Sequence, residues 1–162
     1  MFAIRHIILA TALLCTCAAR AETPEEWIAL GARVHGGFGS FIPLGIKIGI
    51  DARERLQVKP REMTVEYFDS DGSPCACFAD GIAIATLASV GQRSLRIMSE
   101  RAPGGAAAVV IVRPKQGGSG LKYTVPISAL AKLGPMNREL NERQRFDAVM
   151  STDGLFEVEP VP

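Results

Sequence analysis

The sequence predicts an α+β fold, and three observations carry that prediction. The elements read off the chain run helix, helix, strand, helix, three strands, helix, so strands and helices are partly segregated rather than strictly alternating. Glycine-rich turns of hairpin length join the last three strands, which favours antiparallel neighbours. With 162 residues, 48% hydrophobic and 22% charged, the chain suits one globular domain and would be cramped as two.

The first helix starts at Thr23-Pro24-Glu25-Glu26, which offers a capping residue, a proline at the first helical position and a glutamate at the third. It should run to about Val34 and stop at Gly36-Gly37. From Ile42 to Ile50 the apolar residues alternate with others, as in a strand. A helix competes for the same residues, because Leu44, Ile48, Ala52 and Leu56 recur every fourth position while Gly45 and Gly49 form a small face. Asp51 to Leu56 is helical in composition, so periodicity leaves only the first half of this segment open. Met63 to Phe68 reads as a strand closed by the turn Asp69 to Pro74. Ala79 to Ala88 is apolar nearly all round, as expected of a buried helix. Strands are expected at Ser94–Ser99, Ala107–Arg113 and Lys122–Ile127, joined as hairpins through Pro103-Gly104-Gly105 and through Lys115 to Gly120. Asn137 to Met150 reads as an amphipathic surface helix, and Phe156 to Glu159 as an edge strand stopped by Pro160.

Residues 1–21 have the pattern of a cleavable export signal. Arg5 supplies a positive head, Ile7 to Ala19 an apolar run, and Ala19-Arg20-Ala21 a small-x-small cleavage site ahead of Glu22. The run falls short of the ~20 apolar residues a membrane span requires. The expected mature domain, 22–162, is therefore periplasmic or secreted, with no membrane attachment after cleavage. It keeps 16 Lys+Arg against 17 Asp+Glu, one histidine, His35, and two cysteines, Cys75 and Cys77. That balance removes the main energy source for binding nucleic acid.

An oxidising compartment makes Cys75-Ala76-Cys77 conspicuous. The pair admits three states: two free thiols packed under the apolar helix, a tight disulfide, or two thiolates on a metal. A bridge across a single residue closes a very small ring and would be easily reduced, hence redox-active rather than a staple. Two thiolates with His35, and Asp80 nearby, would suit zinc or another soft ion such as cuprous copper, although zinc-binding cysteine pairs usually stand two to four residues apart. His35, between a helix and a glycine pair, suits either a ligand-facing imidazole or a favourable helix C-terminal charge. Asp80 in a helical first turn is explained equally by the exposed backbone N–H groups there. Arg93, Arg96, Arg101 and Arg113 read as solvated strand charges before they read as a cationic rim. With one histidine no Ser-His-Asp triad can be argued, and the phosphate-binding glycine loops and zinc-protease helix are absent from the sequence.

The run His35-Gly36-Gly37-Phe38-Gly39-Ser40-Phe41-Ile42-Pro43-Leu44-Gly45-Ile46-Lys47-Ile48-Gly49 resembles the opening of the FmdE family of formylmethanofuran dehydrogenase proteins, His-Gly-His-x-Cys-Pro-Gly-x-x-x-Gly-x-Arg-x-Gly, without a gap. Cys77-Phe78-Ala79-Asp80-Gly81-Ile82 is similar to the family's Cys-x-x-Asp-Ala-Ile, and Ser89-Val90-Gly91-Gln92-Arg93-Ser94-Leu95 to its Thr-x-Gly-Lys-Gly-Asn-Leu. The resemblance implies helices packed on a mixed, mostly antiparallel sheet, a helix over Pro43–Leu56, and a homodimer. It carries His35, Cys77 and Asp80 over as site positions and adds Ser89. The family's second histidine falls on Gly37, its motif cysteine on Gly39, the next proline on Ser40, and a further cysteine on Ala88. Three readings follow for function. The first is an accessory protein holding a small molecule or a metal between the His35 loop and the Cys77–Ser89 helix, not itself a formylmethanofuran dehydrogenase. The others are a periplasmic thiol redox protein using Cys75 and Cys77, or a non-catalytic dimerising scaffold.

Overall fold

The computed structural model describes residues 22–162, so the expected export signal lies outside the described residues. Five helices sit on a five-stranded mixed sheet, confirming the α+β class. Helix α1 (Pro24–His35) opens with the reciprocal cap its sequence announces. The Thr23 backbone N–H donates to Glu26 Oε2 at 2.7 Å, and the Glu26 N–H donates to Thr23 Oγ1 at 3.3 Å. It closes at Gly36, whose φ of 87° is left-handed and open to glycine at little cost.

Helix α2 (Phe41–Leu56) settles the ambiguous segment as helix throughout. The strand-like alternation arises because this helix is enclosed on nearly every side: Leu44, Ile48 and Ala52 join the core over the sheet, while Ile42 and Ile46 join a second core on the opposite side. A helix apolar all round loses the one-sided stripe that normally identifies it.

Strand β1 (Met63–Asp69) leads into α3 (Cys77–Thr86), which crosses over to β2 (Leu95–Ile97). Strand β2 lies parallel to β1, with Val65 opposite Leu95 and Tyr67 opposite Ile97. This corrects the expected hairpin through Pro103-Gly104-Gly105. The crossover helix places β2 on the outer side of β1, and β3 (Ala106–Pro114) then takes the free inner side, antiparallel. Strand β4 (Gly120–Pro126) returns from β3 by the expected glycine-rich hairpin. The sheet order is β2-β1-β3-β4-β5.

The C-terminal region differs from its sequence reading in two respects. The single helix over Asn137–Met150 is in fact two, α4 (Ile127–Glu139) and α5 (Glu142–Ser151). Leu140 leaves helical geometry, and Asn141 caps α5 reciprocally with Gln144. Helix α4 begins directly after Pro126 and carries Pro135 inside it, which hid its apolar face from periodicity. Strand β5 (Glu157–Val161) also runs through Pro160 instead of stopping there, as an outermost strand permits.

Met63, Val65, Tyr67, Val110 and Val112 form one buried sheet face, covered by α2 and α3. Trp27, Phe38 and Phe146 close the second core between that helix pair and α1 and α5. The α2–α3 crossing is very close. A Cβ added at Gly81 would fall on the Ile42 carbonyl oxygen and 2.9 Å from Gly45 Cα, and one added at Gly45 would fall on the Phe78 carbonyl oxygen.

Candidate functional site

The close α2–α3 crossing sets the position of the first turn of α3, and α1 packs alongside. His35 ends α1 and Cys77 begins α3, so the two residues come from neighbouring helix ends. Asp80 is three residues into α3, on the same face as Cys77. Its carboxylate accepts a 2.7 Å hydrogen bond from His35 Nδ1–H, which fixes the imidazole and leaves Nε2 as its second polar atom. The His35 and Asp80 side chains keep 31% and 41% of their surface, so the pair is solvent-reachable. Asp80 is thus a first-turn acid that also orients His35, a partnership the sequence did not announce.

His35, Cys75 and Cys77 line one hollow of about 290 Å³, whose other walls include Gly39, Ser40 and Asn137. Its floor is tied down from a distant part of the chain. Ser40 Oγ donates to the Leu133 carbonyl at 2.9 Å, and Asn137 Oδ1 accepts from the Ser40 N–H at 3.1 Å. The Arg145 guanidinium donates to the carbonyl oxygens of Phe38, Met136, Asn137 and Leu140, fastening the loop after α1 to the α4–α5 junction. Sequence reasoning missed Asn137 and Arg145. Nothing local marks them, because their partners lie about a hundred residues away for Ser40–Asn137 and Phe38–Arg145.

Of the three states open to the cysteine pair, the structure holds the disulfide. Cys75 is half-buried and Cys77 is 9% exposed. The bonded sulfurs are not thiolates, and among the described residues no group of three or more His, Cys, Asp or Glu is arranged to hold a metal ion. A zinc or cuprous ion on His35, Cys75 and Cys77 therefore does not fit the oxidised pair and would require its reduction.

Ser89 stands apart from His35 and the disulfide. It lines a separate, mainly apolar groove of about 360 Å³ with Leu30, Val34, Ala83 and Leu87, and its Oγ accepts from the Gln92 N–H. Three of the four strand-region arginines are engaged with acids: Arg96 and Arg113 with Glu66, Arg101 with Asp69 and Asp71. None of the four lines the hollow.

The family model described as FmdE, Molybdenum formylmethanofuran dehydrogenase operon, matches residues 34–153, well over half of the chain. The match takes in His35, both cysteines, Asp80 and the Asn137 and Arg145 supports. Among curated proteins, none matches the chain.

Proposed function

This chain belongs to the FmdE family, and from that premise we propose that it is an exported accessory protein that binds a small molecule in the His35–Cys75–Cys77 hollow and is not itself a formylmethanofuran dehydrogenase. The observation that carries the reading is the convergence of an anchored imidazole and a sulfur pair on one open hollow. A site with few polar groups set among apolar walls is the usual form of a small-molecule pocket, and 290 Å³ lies at the small end of that range. The dehydrogenase reading is disfavoured by residues. Gly37, Gly39 and Ser40 stand where the FmdE motif has its second histidine, its cysteine and its proline. Export is supported by the signal-like pattern of residues 1–21 in the sequence. A soft metal would need the pair reduced and the three side chains brought together, since among the described residues no such group is arranged to hold an ion, and that form is the second ligand class to assay.

The test is to produce the full chain by export and purify it without chelator. Its N-terminus should be Glu22, and gentle mass spectrometry should find a co-purifying mass that His35→Ala loses while its fold is intact by circular dichroism. Elemental analysis before and after reduction separates metal from organic ligand. A product that begins at Met1 removes the export claim, and a ligand retained unchanged by His35→Ala removes the site.

A further inference from the structure

We propose that Cys75–Cys77 is an exchange disulfide whose substrate is a thiol, with Cys75 as the sulfur attacked and Cys77 as the sulfur released. The inference goes beyond ligand binding in the hollow. It needs only that the hollow admit a thiol, and it stands whether or not an organic molecule resides there.

Three observations converge on it. The bridge spans one intervening residue, Ala76, so it links no two separate parts of the fold and holds no element in place. It borders the hollow, which both cysteines line, although Cys77 also belongs to the second core and Cys75 packs against it. The two sulfurs are also inequivalent. Cys75 lies in the turn before α3 and is half-buried, whereas Cys77 is the first residue of α3 and nearly enclosed. The N-cap of α3 is Ala76, which supplies no side-chain acceptor to the first-turn N–H groups. The Ala79 N–H already donates to the Ala76 carbonyl at 3.0 Å, and the remaining groups with the helix dipole are the environment that stabilises a departing thiolate; a disulfide exchanges faster when the departing sulfur is the better stabilised and the attacked one the more accessible.

In the first step an incoming thiolate, its proton already given to water, attacks Cys75 Sγ. The new S–S bond forms as the Cys75–Cys77 bond breaks, and the electron pair leaves on Cys77 Sγ. In the second step another thiolate attacks the substrate sulfur of this mixed disulfide and the pair leaves on Cys75 Sγ. Two thiols are oxidised to one disulfide, Cys75 and Cys77 are reduced to a dithiol that takes up two protons, and a disulfide of an exported redox partner reverses the change.

The test uses the purified mature chain, 22–162. Incubated with reduced glutathione or with reduced thioredoxin, the wild-type bridge should open and should re-form with glutathione disulfide, as read by the mass of alkylated protein. Opening by glutathione identifies a small thiol as a sufficient substrate, and opening by thioredoxin alone identifies a protein dithiol. When glutathione opens the wild-type bridge and the reaction is quenched with acid, peptide mass analysis should find the mixed disulfide on Cys75 at least tenfold more often than on Cys77. A wild-type bridge that both reductants leave intact overturns the proposal, and so does capture of the two cysteines at equal rates. The two readings fail separately: a ligand that His35→Ala retains unchanged removes the binding reading alone, and a wild-type bridge that neither reductant opens while the ligand stays bound removes the present one alone.

Discussion

The two ends of α3 are built on opposite terms. From Gly81 to Ala85 the helix is pressed against α2 backbone to backbone, with Gly45 and Gly81 face to face and Gly49 against Ala85. At its start, Cys77 borders the hollow and is bonded to Cys75, and Asp80 holds His35 through one half-exposed hydrogen bond. A contact between backbones has nothing that can move aside, whereas side chains at a solvent-reachable mouth can be exchanged with little effect elsewhere. The architecture therefore separates what holds the fold from what acts in the site. This accounts for a family member that keeps the motif's Gly45 and Gly49 while Gly37 and Gly39 replace the motif's second histidine and cysteine and Ser40 its proline.

The sharpest way to break the comparison is to put a methyl group into the crossing. Gly81→Ala would drive a Cβ into the Ile42 carbonyl and against the Ile46 backbone nitrogen at 2.9 Å, both unable to yield without parting the helices. Overpacking of this kind costs about 3 kcal/mol or more. Urea unfolding should show a large fall in midpoint, or the variant should fail to fold. An unchanged midpoint would mean the crossing is looser than described.

The sheet end of the same core offers a pH-dependent test. Burial pushes the Tyr67 and Tyr123 phenols well above the usual tyrosine range, reinforced by Asp69 for the first and by a 2.7 Å hydrogen bond to Asp51 for the second. Each folded value lies above the unfolded one near 10, so this stability is complete below about pH 10 and is lost as pH rises toward the folded values. The slope is at most about 1.4 kcal/mol per pH unit for each phenol. Lys47 acts in the opposite sense. Burial lowers its ammonium below the ordinary lysine value despite Asp153 and Asp51, so stability rises as the lysine titrates. Two phenols outweigh one ammonium, and chemical denaturation between pH 9 and about 11.5 should give a net decline. Tyr123→Phe should flatten it, while Asp80→Asn should leave it as it is.

How much of this contrast was legible beforehand follows the reach of each interaction. The caps of α1, the buried character of α3 and the β3–β4 hairpin depend on residues close in sequence, and local pattern identified them. The place of β2 did not emerge, because it is fixed by non-local bonds such as Val65 N–H to the Ser94 carbonyl and Met98 N–H to the Tyr67 carbonyl. The Asn141 cap was readable in Asn141-x-x-Gln144 but was masked by a charged run that continued across it. His35, Cys77 and Asp80 were singled out through the family motif, whereas the His35–Asp80 hydrogen bond depends on α1 packing beside α3. Asn137 and Arg145 had no local signal at all.

Opening the disulfide should have a smaller effect on the fold than the Gly81 variant. A loop of one intervening residue restrains the unfolded chain very little, and the chain-entropy relation gives about 1.6 kcal/mol as the scale for so short a closure. Reduction, or Cys75→Ser, should lower the unfolding free energy by no more than about that amount. A much larger loss would make the bridge a structural element and weaken the separation between the two ends of α3.

The smallest expected change in stability comes from Asp80→Asn. The His35–Asp80 hydrogen bond is more than a third exposed on the aspartate side, and a hydrogen bond contributes about 0.5–1.5 kcal/mol net, at the low end where water can replace a partner. The asparagine keeps an acceptor for His35 Nδ1–H while removing the charge, so the unfolding midpoint should move by less than the effect of opening the disulfide. Binding in the hollow should nevertheless weaken, because the carboxylate is what fixes which imidazole nitrogen carries the proton and which way the ring faces. Calorimetric binding of the co-purified ligand, set beside denaturation of the same protein, reads the two effects separately. Equal losses in both would mean that the mouth and the crossing of α3 are one cooperative structure, and the division between them would have to be given up.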